Sequence, residues 1–107
     1  MEWISGNIFI RPAMDNASKG FVLQGHTHNF DHTSIVFTGS VHIKRTHPNG
    51  TVEEQDFVAP AHCLIKAEDV HEITALEDNT TFWCVYSHRT PQGDITQEWT
   101  GWMRATL

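Results

Sequence analysis

The stretch QGHTHNFDHTSIVFTGSVHIKR, from Gln24 to Arg45, decides how this chain is read. It carries four of the eight histidines, and His26, His28 and His32 fall within seven residues. Residues two apart on a β-strand point to the same face. His26 and His28 of HTH therefore project side by side if the segment is a strand, with Thr27 turned the other way. NFD reads as a turn or bulge that returns His32 at the start of the next run, HTSIVFT. Three imidazoles can thus converge on one point without a long-range coincidence.

Outward from this cluster, the chain breaks into short β-prone runs separated by turn compositions. WISGNIFI, FVLQGHTH, HTSIVFTGSVHIKR, TVEEQDFV, HCLIKA, VHEITAL and TFWCVYSH are rich in β-branched and aromatic residues. RPAMDNASKG, TGS, HPNG, APA, AED, EDNT and RTPQGD have the composition of turns. Within HPNG, Asn49-Gly50 is the strongest hairpin signal. No segment keeps a helical period, and the nearest, DITQEWTGWMRATL, is weakened by Thr and Gly. Evenly spaced short strands without a repeat or linker predict one all-β sandwich or barrel.

Composition narrows the function classes. The 107 residues are 39% hydrophobic, with four Trp and six Phe, as in a folded domain. A formal charge of −6 argues against nucleic acid, whose phosphates need clustered Lys and Arg. No basic membrane-binding face and no apolar run of roughly 18 residues is present, so no membrane association is expected. MEWISGNIFI lacks the pattern of a signal peptide. Cys63 and Cys84 each lie in an apolar run, at a spacing that fits no metal clip. Buried free thiols in a cytoplasmic protein are the expectation, with pairing across adjacent strands left open.

An isolated strand histidine is ordinarily a surface or satisfied core residue. A His-x-His pair with a third histidine four residues on is different, because three protonated rings would repel and a shared cation stabilises them. His71 in EDVHEITAL is the best candidate for a fourth ligand from a neighbouring strand. Neutral imidazole suits Fe, Mn, Ni, Cu and Zn. His42 and His47 are expected in solvent, while His62 and His88 stand open as pocket or supporting residues.

These residues carry a resemblance. Gly20, His26, His28, His32 and Gly39 match the first motif of the cupin superfamily, G-x5-H-x-H-x3-E-x6-G, except that His32 stands at the usual glutamate. In the second motif, G-x5-P-x-G-x2-H-x3-N, His71 matches, whereas Pro60, Lys66, Glu68 and Ala75 replace Gly, Pro, Gly and Asn. The resemblance implies a double-stranded β-helix, or jelly-roll, barrel. Residues 1–107 would form one cupin domain, with a core barrel over about 21–88 and flanking terminal strands. It also implies one divalent transition metal held by His26, His28, His32 and His71.

Four neutral rings would leave the full 2+ charge on the ion, making it a stronger Lewis acid than one with a carboxylate ligand. Octahedral Mn or Fe with open positions is favoured over Ni, Co, Cu and Zn, and tetrahedral zinc would be closed and structural. Phe30, Ser34, Val36 and Ile73 are expected to line the interior. Tyr86 and His88 share a strand face with Phe82 and Cys84, and are the candidate catalytic residues. Arg89 could receive an anionic substrate. Trp3, Trp99 and Trp102 suggest core or subunit contact, hence a homodimer. The favoured activity is a dioxygenase-type oxidoreductase acting on a small organic substrate. The alternatives are a non-redox lyase or isomerase and a non-catalytic small-molecule-binding protein.

Overall fold

The chain alternates between two sheets almost strand by strand, and this places distant residues on one interior. The computed structural model describes residues 3–28, 30–87, 89, 92–93 and 98–100, and the side chains of 3–5, 26 and 98–100 lie outside that description. The strands are β1 (Trp3–Ser5), β2 (Ile8–Ala17), β3 (Val22–His28), β4 (His32–Thr38), β5 (Ser40–Thr46), β6 (Val52–Val58), β7 (Ala61–Ile65), β8 (Val70–Ala75), β9 (Thr80–Ser87) and β10 (Glu98–Thr100). One five-stranded sheet runs β1-β2-β9-β4-β7 and the other β10-β3-β8-β5-β6. Their strand pairs are antiparallel. The architecture is all-β, as the strand spacing predicts, and is the jelly roll that the resemblance implies.

Period-2 patterning sorts each strand into an inner and an outer face. Along β4, His32, Ser34 and Val36 are buried, whereas Thr33 and Phe37 are exposed. Val41 and Ile43 of β5, Ile73 and Ala75 of β8, and Phe82 and Cys84 of β9 complete the inner layer, with Met14 and Ile65. Ser34, Val36, Ile73 and Phe30 are all buried, in agreement with the interior expected from the sequence.

Two turns fix the opposite ends of β5, the hairpin at the end that carries His71 and the Gly39 turn at the other. The β5–β6 hairpin closes through His47 and Gly50, with the Gly50 amide donating to the His47 carbonyl at 2.8 Å and Gly50 at φ +88°. Between β4 and β5, Gly39 has φ +75°, and a Cβ there would lie 2.2 Å from Thr80 Oγ1 and 2.8 Å from Thr80 Cα. Only glycine fits, because both the backbone angle and the close approach exclude a side chain.

One segment departs from the sequence reading. RPAMDNASKG has turn composition, yet β2 continues through it to Ala17. Beyond Ile10 this strand pairs, among the described residues, on one side only, with β9, so the missing N–H of Pro12 is tolerated. Register shifts between Pro12 and Met14 and between Met14 and Ala17 absorb the irregular residues. They also turn Met14 into the core, where it is 2% exposed. In the C-terminal stretch, Glu98–Thr100 pairs with β3 as a strand rather than forming a helical turn.

Candidate metal centre

Three of the four predicted ligands meet at one end of the barrel. His28 ends β3, His32 begins β4 and His71 lies at the start of β8. Each offers a ring nitrogen, and these atoms lie within 4.8 Å of one another. Their relative exposures are 0%, 3% and 0%. The His28 and His71 rings stack at 4.8 Å with a 23° interplanar angle, and His28 meets His32 edge-on at 4.5 Å. His26 stands in register opposite His71 on the neighbouring strand, and its side chain lies outside the described residues.

The fold brings these residues together through the crossover between sheets. His28 and His32 sit on different sheets, so the short connection between them turns both toward the interior. Two hydrogen bonds tie that connection to the turn before β8. The Glu68 amide donates to the His28 carbonyl at 2.9 Å, and the Ala67 amide donates to Asp31 Oδ1 at 2.7 Å. Local spacing places His28 and His32, and this turn brings in His71.

The donor set suits a transition metal. Imidazole nitrogens bind such ions at about 2.1 Å, so two on one ion stand no more than about 4.2 Å apart. The separations here need only a small inward movement of the rings. Burying three imidazoles with a cation also removes the repulsion they would suffer if each were protonated.

Ser34 supports His32 from behind. Its Oγ lies 3.4 Å from His32 Nδ1 and donates toward Cys84 Sγ at 3.7 Å. An Nδ1–H on His32 donating to Ser34 makes Nε2 the atom offered to a cation. Burial pushes the Cys84 thiol up, while the Ser34 hydrogen bond works in the other direction. Cys84 is therefore a neutral acceptor beneath this relay.

Aromatic rings wall the cluster. Phe30 lies 4.8 Å from His28 and 4.3 Å from Tyr86 between ring centroids. Tyr86 faces inward, 5.9 Å from His32 and stacked on Phe9 at 4.9 Å. His88 and Trp102 lie outside the described residues, as do the side chains of Trp3 and Trp99. The Arg89 guanidinium donates to the Gly93 carbonyl at 3.0 Å.

The remaining described histidines, His42, His47 and His62, lie elsewhere. His62 is exposed on the outer face of β7. His42, expected in solvent, is clamped by Asp56 at 2.6 Å and Glu54 at 3.0 Å. Those hydrogen bonds, Asp56 first, raise its pKa above 6.5. His47, also expected in solvent, stands 2.9 Å from both Glu53 and Asp69. Its pKa is raised too, by the Asp69 contact first and then by Glu53. Sequence reasoning passed over Asp31 and Arg45. Arg45 shares the inner phase of β5 with Val41 and Ile43, a period-2 signal that was available in the sequence.

The fold around this cluster is that of the cupins. The oxalate decarboxylase of Lactobacillus farciminis, in its formate complex, superposes with a TM-score of 0.63 at 18% identity, covering 81% of this chain and 30% of that one. Bacillus subtilis oxalate decarboxylase, a protein with Mn(II) centres, gives a TM-score of 0.67 at 16% identity over 100% of this chain and 32% of that one. KdgF from Halomonas sp. gives 0.58 at 15% identity, covering 83% of this chain and 87% of that protein. The chain thus spans about a third of the length of the decarboxylases it matches. No protein-family model matches the sequence, and no curated protein matches it.

Proposed function

We propose that this chain is a metal-binding cupin whose mononuclear site acts as a dioxygenase on a small organic molecule. The observation that carries the reading is the buried trio His28, His32 and His71, with ligand atoms within 4.8 Å of one another. His26, in register with His71, is the proposed fourth ligand. Mn or Fe is the favoured ion, supplying Lewis acidity and redox capacity. The Mn(II) centres of the Bacillus subtilis decarboxylase support Mn.

The protein's own residues would do the rest. His28, His32 and His71 hold the ion in a dry site, and Ser34 keeps His32 in one tautomer. Phe30 excludes water from one side. The Tyr86 hydroxyl is the proposed group for holding or moving a substrate proton, with His88 as its companion.

A second reading keeps the same ion for non-redox lyase or isomerase chemistry, and the likeness to oxalate decarboxylases favours it. Elemental analysis with oxygen-electrode measurements across a panel of small organic acids and enols separates the two. Metal-dependent oxygen uptake supports the dioxygenase. Turnover that persists under strict anaerobiosis assigns the lyase or isomerase instead.

A homodimer is also proposed. Ile8 and Phe37 are 54% and 46% exposed on the outer face of one sheet, apolar side chains that a second copy would cover. Light scattering tests it. We further propose a cytoplasmic location for the protein; among the described residues no helix is long and apolar enough to cross a membrane.

A further inference from the structure

A second cavity opens on the side of the barrel where β6 and β7 form the edges of their sheets. Its volume is about 390 Å³, within the range of small-molecule sites. It contains none of the three clustered histidines. Phe57, Cys63 and Leu64 give it an apolar wall, and Arg45 and Lys66 bring two cations to it.

The charges in this cavity are unequally committed. Glu53 and Asp69 each place a carboxylate oxygen 2.9 Å from His47, Glu53 in a hydrogen bond and the buried Asp69 Oδ2 in an ion pair without hydrogen-bond geometry. Among the described residues Arg45 has no carboxylate partner. Its Nη1 donates to the Leu64 carbonyl at 3.3 Å and its Nη2 to Gln55 Oε1 at 3.5 Å, both long. Its Nε is buried with no acceptor. The two Nη groups are thus weakly held, and a planar oxyanion fits the fork they form. The Cys63 thiol, held up to about 11 by burial, adds no negative charge beside it.

We propose that this cavity is a binding site for a small organic carboxylate, its oxyanion seated on Arg45 with Lys66 beside it and its apolar body against Phe57 and Leu64. The site does not depend on a metal. Arg45 is in register with His71 on the adjacent strand, so an occupant would lie against the backbone that carries a proposed ligand.

The test uses benzoate and its neutral isostere benzamide, titrated into the ¹⁵N-labelled full chain, metal-loaded and again after chelation. Benzoate is expected to bind saturably and shift the amides of Arg45, Phe57, Cys63 and Leu64 equally in both forms. Benzamide should bind about tenfold more weakly or worse, the loss expected for a charge-assisted hydrogen bond. Arg45→Gln should reproduce that loss. Lys66→Gln, an exposed change that leaves the fold intact, should weaken benzoate by about threefold. Equal affinity for the two probes overturns the proposal. So does binding that disappears with the metal, or the lack of saturable binding at millimolar benzoate. Should Arg45→Gln fail to fold, the two probes on the unaltered chain and the Lys66 variant still decide the matter.

Discussion

Cys63 and Cys84 stand on opposite sides of Ser34, each in register with it on one of the two strands that flank β4. They are therefore two strand spacings apart, about 9–10 Å between Cα atoms. A disulfide needs roughly 7 Å or less. The pairing left open by the sequence is closed by this register, and both thiols are free. Two thiols per chain should react with a thiol reagent after unfolding without reductant. In the folded state both should react slowly, since burial raises both pKa values. A Tm that dropped on adding reductant would contradict this.

The metal reading makes its sharpest demand on His28. Replacing it with Ala should take bound metal from about one equivalent to near none, because a fully buried donor at the centre of the trio is lost. His32→Glu should retain metal, since a carboxylate is also a ligand for these ions. Ser34→Ala should lower metal affinity by about 10–100-fold while leaving stoichiometry at saturation unchanged, as expected for a residue that orients a ligand. Competition against a chromogenic chelator reads all three.

Gly39→Ala should destabilise the fold by about 2–3 kcal/mol, from backbone strain and displacement of Thr80 together. Gly50→Ala has the same sign of φ but nothing within 4 Å, so it should cost less. Chemical denaturation of the two variants gives the comparison. Equal losses would mean that the contact with Thr80 contributes nothing.

Protonated His42 is bound by Asp56 and Glu54, so its pKa is raised in the folded state. Its contribution to stability is complete below the unfolded value of 6.5 and is lost as pH rises through the folded pKa. The stability difference between the native chain and His42→Gln should therefore shrink as pH rises above 6.5, while the carboxylates stay ionised. NMR titration of the His42 ring should give a midpoint above 6.5. A midpoint at or below that value would remove the clamp.

What could be read in the sequence followed its local periodicities. His28 and His32 are close in the chain, and a strand period plus one turn sufficed to join them. Inner positions such as Ser34, Val36 and Ile73 obeyed the same rule. His71 needed the second motif, because its approach depends on β8 lying beside β3. β2 was read short at Arg11, since Pro12, Asp15 and Asn16 look like loop until an edge position accommodates them. The ion pair at His47 was hidden for a tertiary reason. Its partner Asp69 arrives from the turn before β8, which no hairpin argument around Asn49-Gly50 includes. The side cavity was equally hidden, because it exists only where β6 and β7 become edges.

The links from Asp31 to Ala67 and from His28 to Glu68 bear on the order of assembly. His28 and His32 can approach early, as neighbours in the chain, but His71 joins them only when the β7–β8 turn has docked. Non-local closure of this kind is the slow part of building an all-β topology. A cation captured before that closure would meet an incomplete set of donors and exchange quickly. Tight retention of an added divalent metal should appear only in the final kinetic phase of refolding, where it would mark the moment at which the β7–β8 turn docks.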